Sequence, residues 1–119
     1  MVKFIRPEDL SSFVKDVAER ERIIQFILQK NNRGYASDSG FALVSNQDGV
    51  AIITELTCYN DMQELIERVR KDYKNEPQII LAENKIVEFR KHLPAARGSL
   101  VKNFFGQGID GIKFSLPTS

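Results

Sequence analysis

Apolar and polar positions alternate along this chain with two periods, and the switches between them predict its elements. Val2 to Ile5 is a short β-like run ended by Arg6-Pro7. Pro7 suits the first turn of a helix, where its missing N–H costs little, and Glu8 and Asp9 fall where the helix dipole favours acids. Leu10, Phe13, Val14 and Val17 form one apolar stripe, and Ile23, Ile24, Ile27 and Leu28 resume it after the charged run Glu19 to Arg22. The pattern predicts one long helix, or two with a bend at that run, ending by Asn31 to Gly34, with Gly34 as a left-handed cap. Ala36 to Gly40 reads as a loop. Phe41 to Val44 and Val50 to Leu56 read as strands joined at Asp48-Gly49, a strong hairpin signal. The second of these is apolar up to Thr54, as expected of a central strand covered on both faces.

The second half predicts helix, strand, helix, strand, strand. Asp61 to Lys74 is an amphipathic helix with Leu65, Ile66 and Val69 inward, capped by Asn60 or Asp61. Gln78 to Ala82 is a short apolar strand, Lys85 to Leu93 a helix, and Ser99 to Phe105 and Ile109 to Leu116 a final pair of strands. The order predicts an α/β (α+β) single domain over residues 1–119, with a mixed, mostly antiparallel sheet of about six to seven strands and helices on both faces.

Composition narrows the function classes without naming one. The 119 residues carry a net charge of +1, so no global field favours nucleic acid or an anionic membrane. The first ten residues lack an apolar signal region, and no apolar run spans a bilayer. The single cysteine, Cys58, allows no intramolecular disulfide and reads as a buried thiol. A cytoplasmic location is the expectation.

No complete catalytic or metal motif is present, and no metal site is expected. Gly106 to Gly111 matches G-x-G-x-x-G, but the residues after it alternate as a strand, so it reads as a hairpin turn rather than a phosphate loop. Asp61, Glu64 and Glu67 share a helical face with arginines and lysines beside them and read as a solvated, ion-paired surface. Tyr35 and Tyr59 flank the central hairpin, and His92 ends a helix where a cation complements the dipole. Arg90, Lys91, Arg97 and Lys102, close to Phe104 and Phe105, form a candidate partner-binding set.

The opening Phe4 to Leu10, the segment Ile79 to Asn84 with the short helix behind it, and the two final strands together resemble the GCN5-related N-acetyltransferase (GNAT) superfamily. The resemblance implies acyl-CoA as cofactor, lying beside the strand Ile52 to Leu56, with Glu55 as candidate base, Tyr59 as candidate acid, and Thr54, Leu56, Thr57 and Asn84 as cofactor contacts. The chain also departs from that pattern. The family's glycine-containing loop after its fourth strand cradles pyrophosphate, whereas the stretch here, Thr57 to Gln63, has no glycine and places Asp61 and Glu64 near the phosphate position. The tyrosine that many members carry in the fourth helix is replaced by Arg90-Lys91.

Those gaps make a non-catalytic protein-interaction module on a GNAT-like scaffold, with no cofactor, the first expectation. An acetyl-CoA-dependent N-acetyltransferase is the alternative. A further alternative comes from Gly40 to Ile52, which is similar to the central hairpin of roadblock/longin-type dimeric platforms. The expected partner is another protein or a second copy of the chain, with no membrane and with nucleic acid disfavoured.

Overall fold

In the computed structural model the described residues are 2–12, 14–57, 60–73, 76–92 and 97–115. Their architecture is built around the predicted hairpin. Asp48 and Gly49 both take left-handed φ, 53° and 83°, the conformation a two-residue type I′ turn requires. They join β3 (Phe41–Gln47) to β4 (Val50–Thr57). Before them come β1 (Lys3–Phe4), a 3-10 turn (Pro7–Ser12), α1 (Val17–Ile27) and β2 (Asn32–Ala36). After them come α2 (Met62–Asp72), β5 (Gln78–Ala82), a 3-10 turn (Glu83–Lys85), α3 (Ile86–His92), β6 (Arg97–Gly106) and β7 (Ile109–Ser115).

Seven strands form one sheet in the order β1-β2-β3-β4-β5-β7-β6. Every pairing is antiparallel except β4 with β5. Side chains alternate across the sheet and divide the core. Ala42, Val44, Ala51, Ile53, Ile79, Leu81 and Phe114 pack with Leu65, Ile66 and Val69 of α2 and Phe89 of α3. On the opposite face Leu43 and Ala36 pack with Leu10, Val14 and Ile23. Helices therefore cover both faces, as expected.

Three expectations about the first half are corrected. The helical stripe is interrupted at residues 14–16, not at the charged run. Asp16 caps α1 by accepting a hydrogen bond from the Glu19 amide (3.2 Å), so Glu19 to Arg22 lie inside the helix. The helix ends at Ile27, and Asn31 (φ 72°), not Gly34, takes the left-handed conformation beyond it. Gly34 instead belongs to β2, where an added Cβ would lie 2.8 Å from Ile5 Cδ1 and 3.2 Å from Ile27 Cγ2. It is a point of close packing beneath α1 and not a cap.

The sequence-predicted strand Val50 to Leu56 has an irregularity that matters for function. Leu43 pairs with Glu55 but Val44 pairs with Ile53, leaving Thr54 as an extra residue. Such a bulge shifts the alternation of the strand by one. Ala51, Ile53 and Leu56 all enter the α2 side of the core, while Glu55 is turned to the α1 side, level with Leu43. A regular strand would have carried Glu55 into the apolar core beside Ile53.

Candidate active site

Glu55 is the buried charged residue of the core region, 7% exposed, and burying a carboxylate requires partners. Arg22, reaching across from α1, donates to Glu55 Oε1 at 2.7 Å. Lys85, at the end of the 3-10 turn after β5, places Nζ 3.8 Å from the same oxygen. Among the described residues no hydrogen bond reaches Oε2. On its solvent side Arg22 is also held by Glu19, three residues earlier on α1. Hydrogen bonds to Glu19 and then Glu55 push the Arg22 pKa above the ordinary arginine value, so it stays charged throughout any working pH.

These residues line a cleft of about 380 Å³ together with Leu43, Thr54, Ala82 and Phe105. Its floor follows from the pairing of β4 with β5. The parallel ladder consists of Ile52 with Gln78 and Ile53 with Ile79, and no pairing continues past the bulge. The C-terminal ends of the two parallel strands therefore lie beside Glu55 without a ladder between them.

Phe105 reaches this cleft through a second irregularity. Val101 pairs with Gly111 and Gly106 with Ile109, so residues 102–105 of β6 oppose Asp110 alone. Asn103 sits at φ 57° in this bulge, its amide donating to Asp110 Oδ1 (2.9 Å) and its Oδ1 accepting from the Gly108 amide (2.8 Å). Phe104 and Phe105 meet edge to face at 4.9 Å. They lie over Gly111, where an added Cβ would be 3.1 Å from Phe105 and 3.2 Å from Phe104. The glycine-rich run 106–111 is thus a hairpin turn, as its pattern predicts.

The other sequence-predicted residues are distributed as follows. Thr54 lines the Glu55 cleft, and Leu56 is a core side chain that can offer only its backbone to a ligand. Thr57 lines a neighbouring cleft with Ser37, Ser39, Gly40 and Asn60. Asn84 lines a third with Glu83, Ile109 and Asp110. Arg90 and Lys91 lie on α3, with the Arg90 guanidinium 5.6 Å from the Phe114 ring centroid. Arg97 and Lys102 are exposed on β6, five residues apart, with Lys102 at the start of the bulge. Tyr59 and Cys58 fall outside the described residues, as does the side chain of His92. Tyr35 is fully buried and donates to Asp72 at 2.8 Å, an arrangement of the core and not of a cleft. Burial, reinforced by the Asp72 hydrogen bond, raises its pKa.

Asp61 occupies the N-cap position of α2, yet its side chain makes no capping hydrogen bond. Its Oδ1 instead accepts from the hydroxyls of Ser37 (2.8 Å) and Ser39, which ties the β2–β3 loop to the start of α2. Burial pushes the Asp61 pKa up, but the Ser39 and Ser37 hydroxyls outweigh it and hold the carboxyl below its usual value. A depressed carboxylate stabilises the fold above its unfolded pKa of about 4 and loses that contribution as pH falls through the folded value. The double variant Ser37→Ala/Ser39→Ala is therefore expected to melt lower than the parent at pH 7. The gap should shrink below about pH 4, as read by thermal unfolding across pH.

No protein-family model matches the chain, and no curated protein sequence does. Solved structures do. An aminoglycoside 6'-N-acetyltransferase complexed with coenzyme A aligns over 100% of this chain and 99% of its own, with a TM-score of 0.59 at 11% identity. The aminoglycoside 6'-N-acetyltransferase from Enterococcus faecium aligns over 100% and 99%, with a TM-score of 0.55 at 12% identity. A protein assigned to the GNAT family of acetyltransferases from Desulfovibrio desulfuricans aligns over 98% of each chain, with a TM-score of 0.54 at 12% identity. The roadblock/longin resemblance of the central hairpin does not extend to this sheet, in which β5, β6 and β7 continue beyond β4. The chain has the GNAT fold.

Proposed function

We propose that the protein is an acyl-CoA-dependent N-acetyltransferase in which Glu55 accepts the proton of the acceptor ammonium. The observation that carries this reading is the opening between β4 and β5, with the Thr54 bulge turning Glu55 into the cleft beside it. The shared fold supports it over the expectation of a non-catalytic interaction module. Among the described residues, no helix is long and apolar enough to cross a membrane.

One feature of the chain suits the cofactor and one opposes it. Where β4 and β5 cease to pair, their backbone groups are available to an extended, amide-containing arm; Thr54, the backbone of Leu56, Thr57 and Asn84 are the residues that would hold it. At the start of α2 the fit is poorer: the Asp61 carboxylate, turned onto Ser37 and Ser39, stands at the N-cap, and its charge opposes a phosphate there. Bound acyl-CoA would supply an activated thioester. The chain supplies position and proton transfer. Arg22 fixes the Glu55 carboxylate through Oε1, which leaves Oε2 to take a proton from the acceptor. Leu43, Ala82 and Phe105 limit water in the cleft.

The test is thiol release from acetyl-CoA in the presence of small amines, amino acids and polyamines. Amine-dependent release with acetylated product is the expected result. Absence of release with every amine class would overturn the reading.

A further inference from the structure

The charges in the Glu55 cleft define an acceptor class. Its lining carries two carboxylates, Glu19 and Glu55, and two cations, Arg22 and Lys85. The cations differ in how they are satisfied. Arg22 donates to both carboxylates. Lys85 forms only a loose ion pair with Glu55, 3.8 Å from Oε1, and among the described residues its ammonium makes no hydrogen bond. An acceptor ammonium seated at Glu55 sets a second positive charge close to Lys85. That contact is repulsive unless the acceptor also brings an anion. A polycation meets the same repulsion without compensation.

We infer that, within the transferase reading on which this rests, the acceptor is a small zwitterion. It carries a carboxylate near its amine, bound by Lys85, and an apolar remainder lies against Leu43, Ala82 and Phe105. Lys85 is then a specificity-determining residue, and the acceptor differs in kind from the aminoglycosides named for two of the structures of the same fold. The chemistry is otherwise ordinary acyl transfer. The amine nitrogen forms a bond to the acyl carbon as the carbon–sulfur bond breaks. Of the two protons the ammonium loses, one leaves through Glu55 and the other ends on the released thiol.

The experiment measures kcat/KM with acetyl-CoA for L-leucine, for 3-methylbutylamine (leucine without its carboxylate) and for spermidine. It uses the parent protein, Lys85→Gln and Lys85→Glu. Comparing the leucine-to-amine ratio between proteins cancels the different basicities of the two acceptors. The ratio should fall at least tenfold in Lys85→Gln through KM for leucine, with KM for acetyl-CoA unchanged, and Lys85→Glu should improve spermidine. A ratio unaltered in both variants overturns the inference while leaving the transferase reading intact. So does a rise in KM for acetyl-CoA alone, which assigns Lys85 to the cofactor. Transfer to other amines but to none of these three also overturns it. Absence of thiol release with every amine class removes the transferase reading itself.

Discussion

Glu55→Gln is expected to lower kcat/KM for acetyl transfer by about 10²- to 10⁴-fold, the usual worth of a positioned general base. The amide matches the carboxylate in shape and can still accept a hydrogen bond from Arg22, now 2.7 Å from Oε1. It cannot take a proton from an ammonium. Folding should change far less than activity, because Arg22 is half-exposed and retains Glu19 as a partner. The loss should therefore appear in kcat, with the affinity for acetyl-CoA preserved. Steady-state kinetics alongside thermal unfolding separates this from a structural role, which would lower the melting temperature and cofactor affinity together. Near-parental kcat in a folded Glu55→Gln protein would remove Glu55 from the chemistry.

The largest stability effect is expected at Phe114. It is 1% exposed on β7, packs 4.5 Å from the Phe89 ring, and lies under Arg90. It thereby joins α3 to the strand between β5 and β6. Phe114→Ala should cost about 3–5 kcal/mol, combining lost transfer energy with the cavity left behind. Against a typical total of about 5–15 kcal/mol, that removes much of the stability of the domain. Phe104→Ala, at a half-buried ring, should cost clearly less. Urea unfolding of both variants checks the order.

The second half of the fold was legible because its periods are clean. Gln78 to Ala82 is a strand with the bounds its apolar run suggests, and α2 buries Leu65, Ile66 and Val69 as its spacing requires, with Met62, which reads as a flank residue, buried beside them. In the first half β2 was hidden. Asn32 to Ala36 has no apolar alternation, and Gly34, which reads as a helix cap, is instead demanded by the approach of Ile5 and Ile27. The start of α1 did leave a signal: Asp16 with Glu19 three residues on has the spacing of a capping box. The candidate site was legible only in part. Glu55 was singled out by resemblance, but its direction depends on a bulge that no local residue type announces. Arg22 reads as part of the charged run that interrupts the helical stripe, and its partner lies 33 residues away. Lys85 reads as the first residue of the helix Lys85 to Leu93 and as a candidate addition to the basic set around Arg90, with nothing to tie it to Glu55. Charges brought together by tertiary packing leave no periodic trace in a sequence.

The most direct test of the account is thermal unfolding of the purified protein with and without acetyl-CoA. A ligand that binds the native state alone stabilises it, by about 2.7 kcal/mol at a hundred times Kd. The account predicts a concentration-dependent rise in melting temperature that persists in Glu55→Gln. No rise at millimolar acetyl-CoA would contradict it, leaving a GNAT fold whose β4–β5 opening does not serve an acyl-CoA.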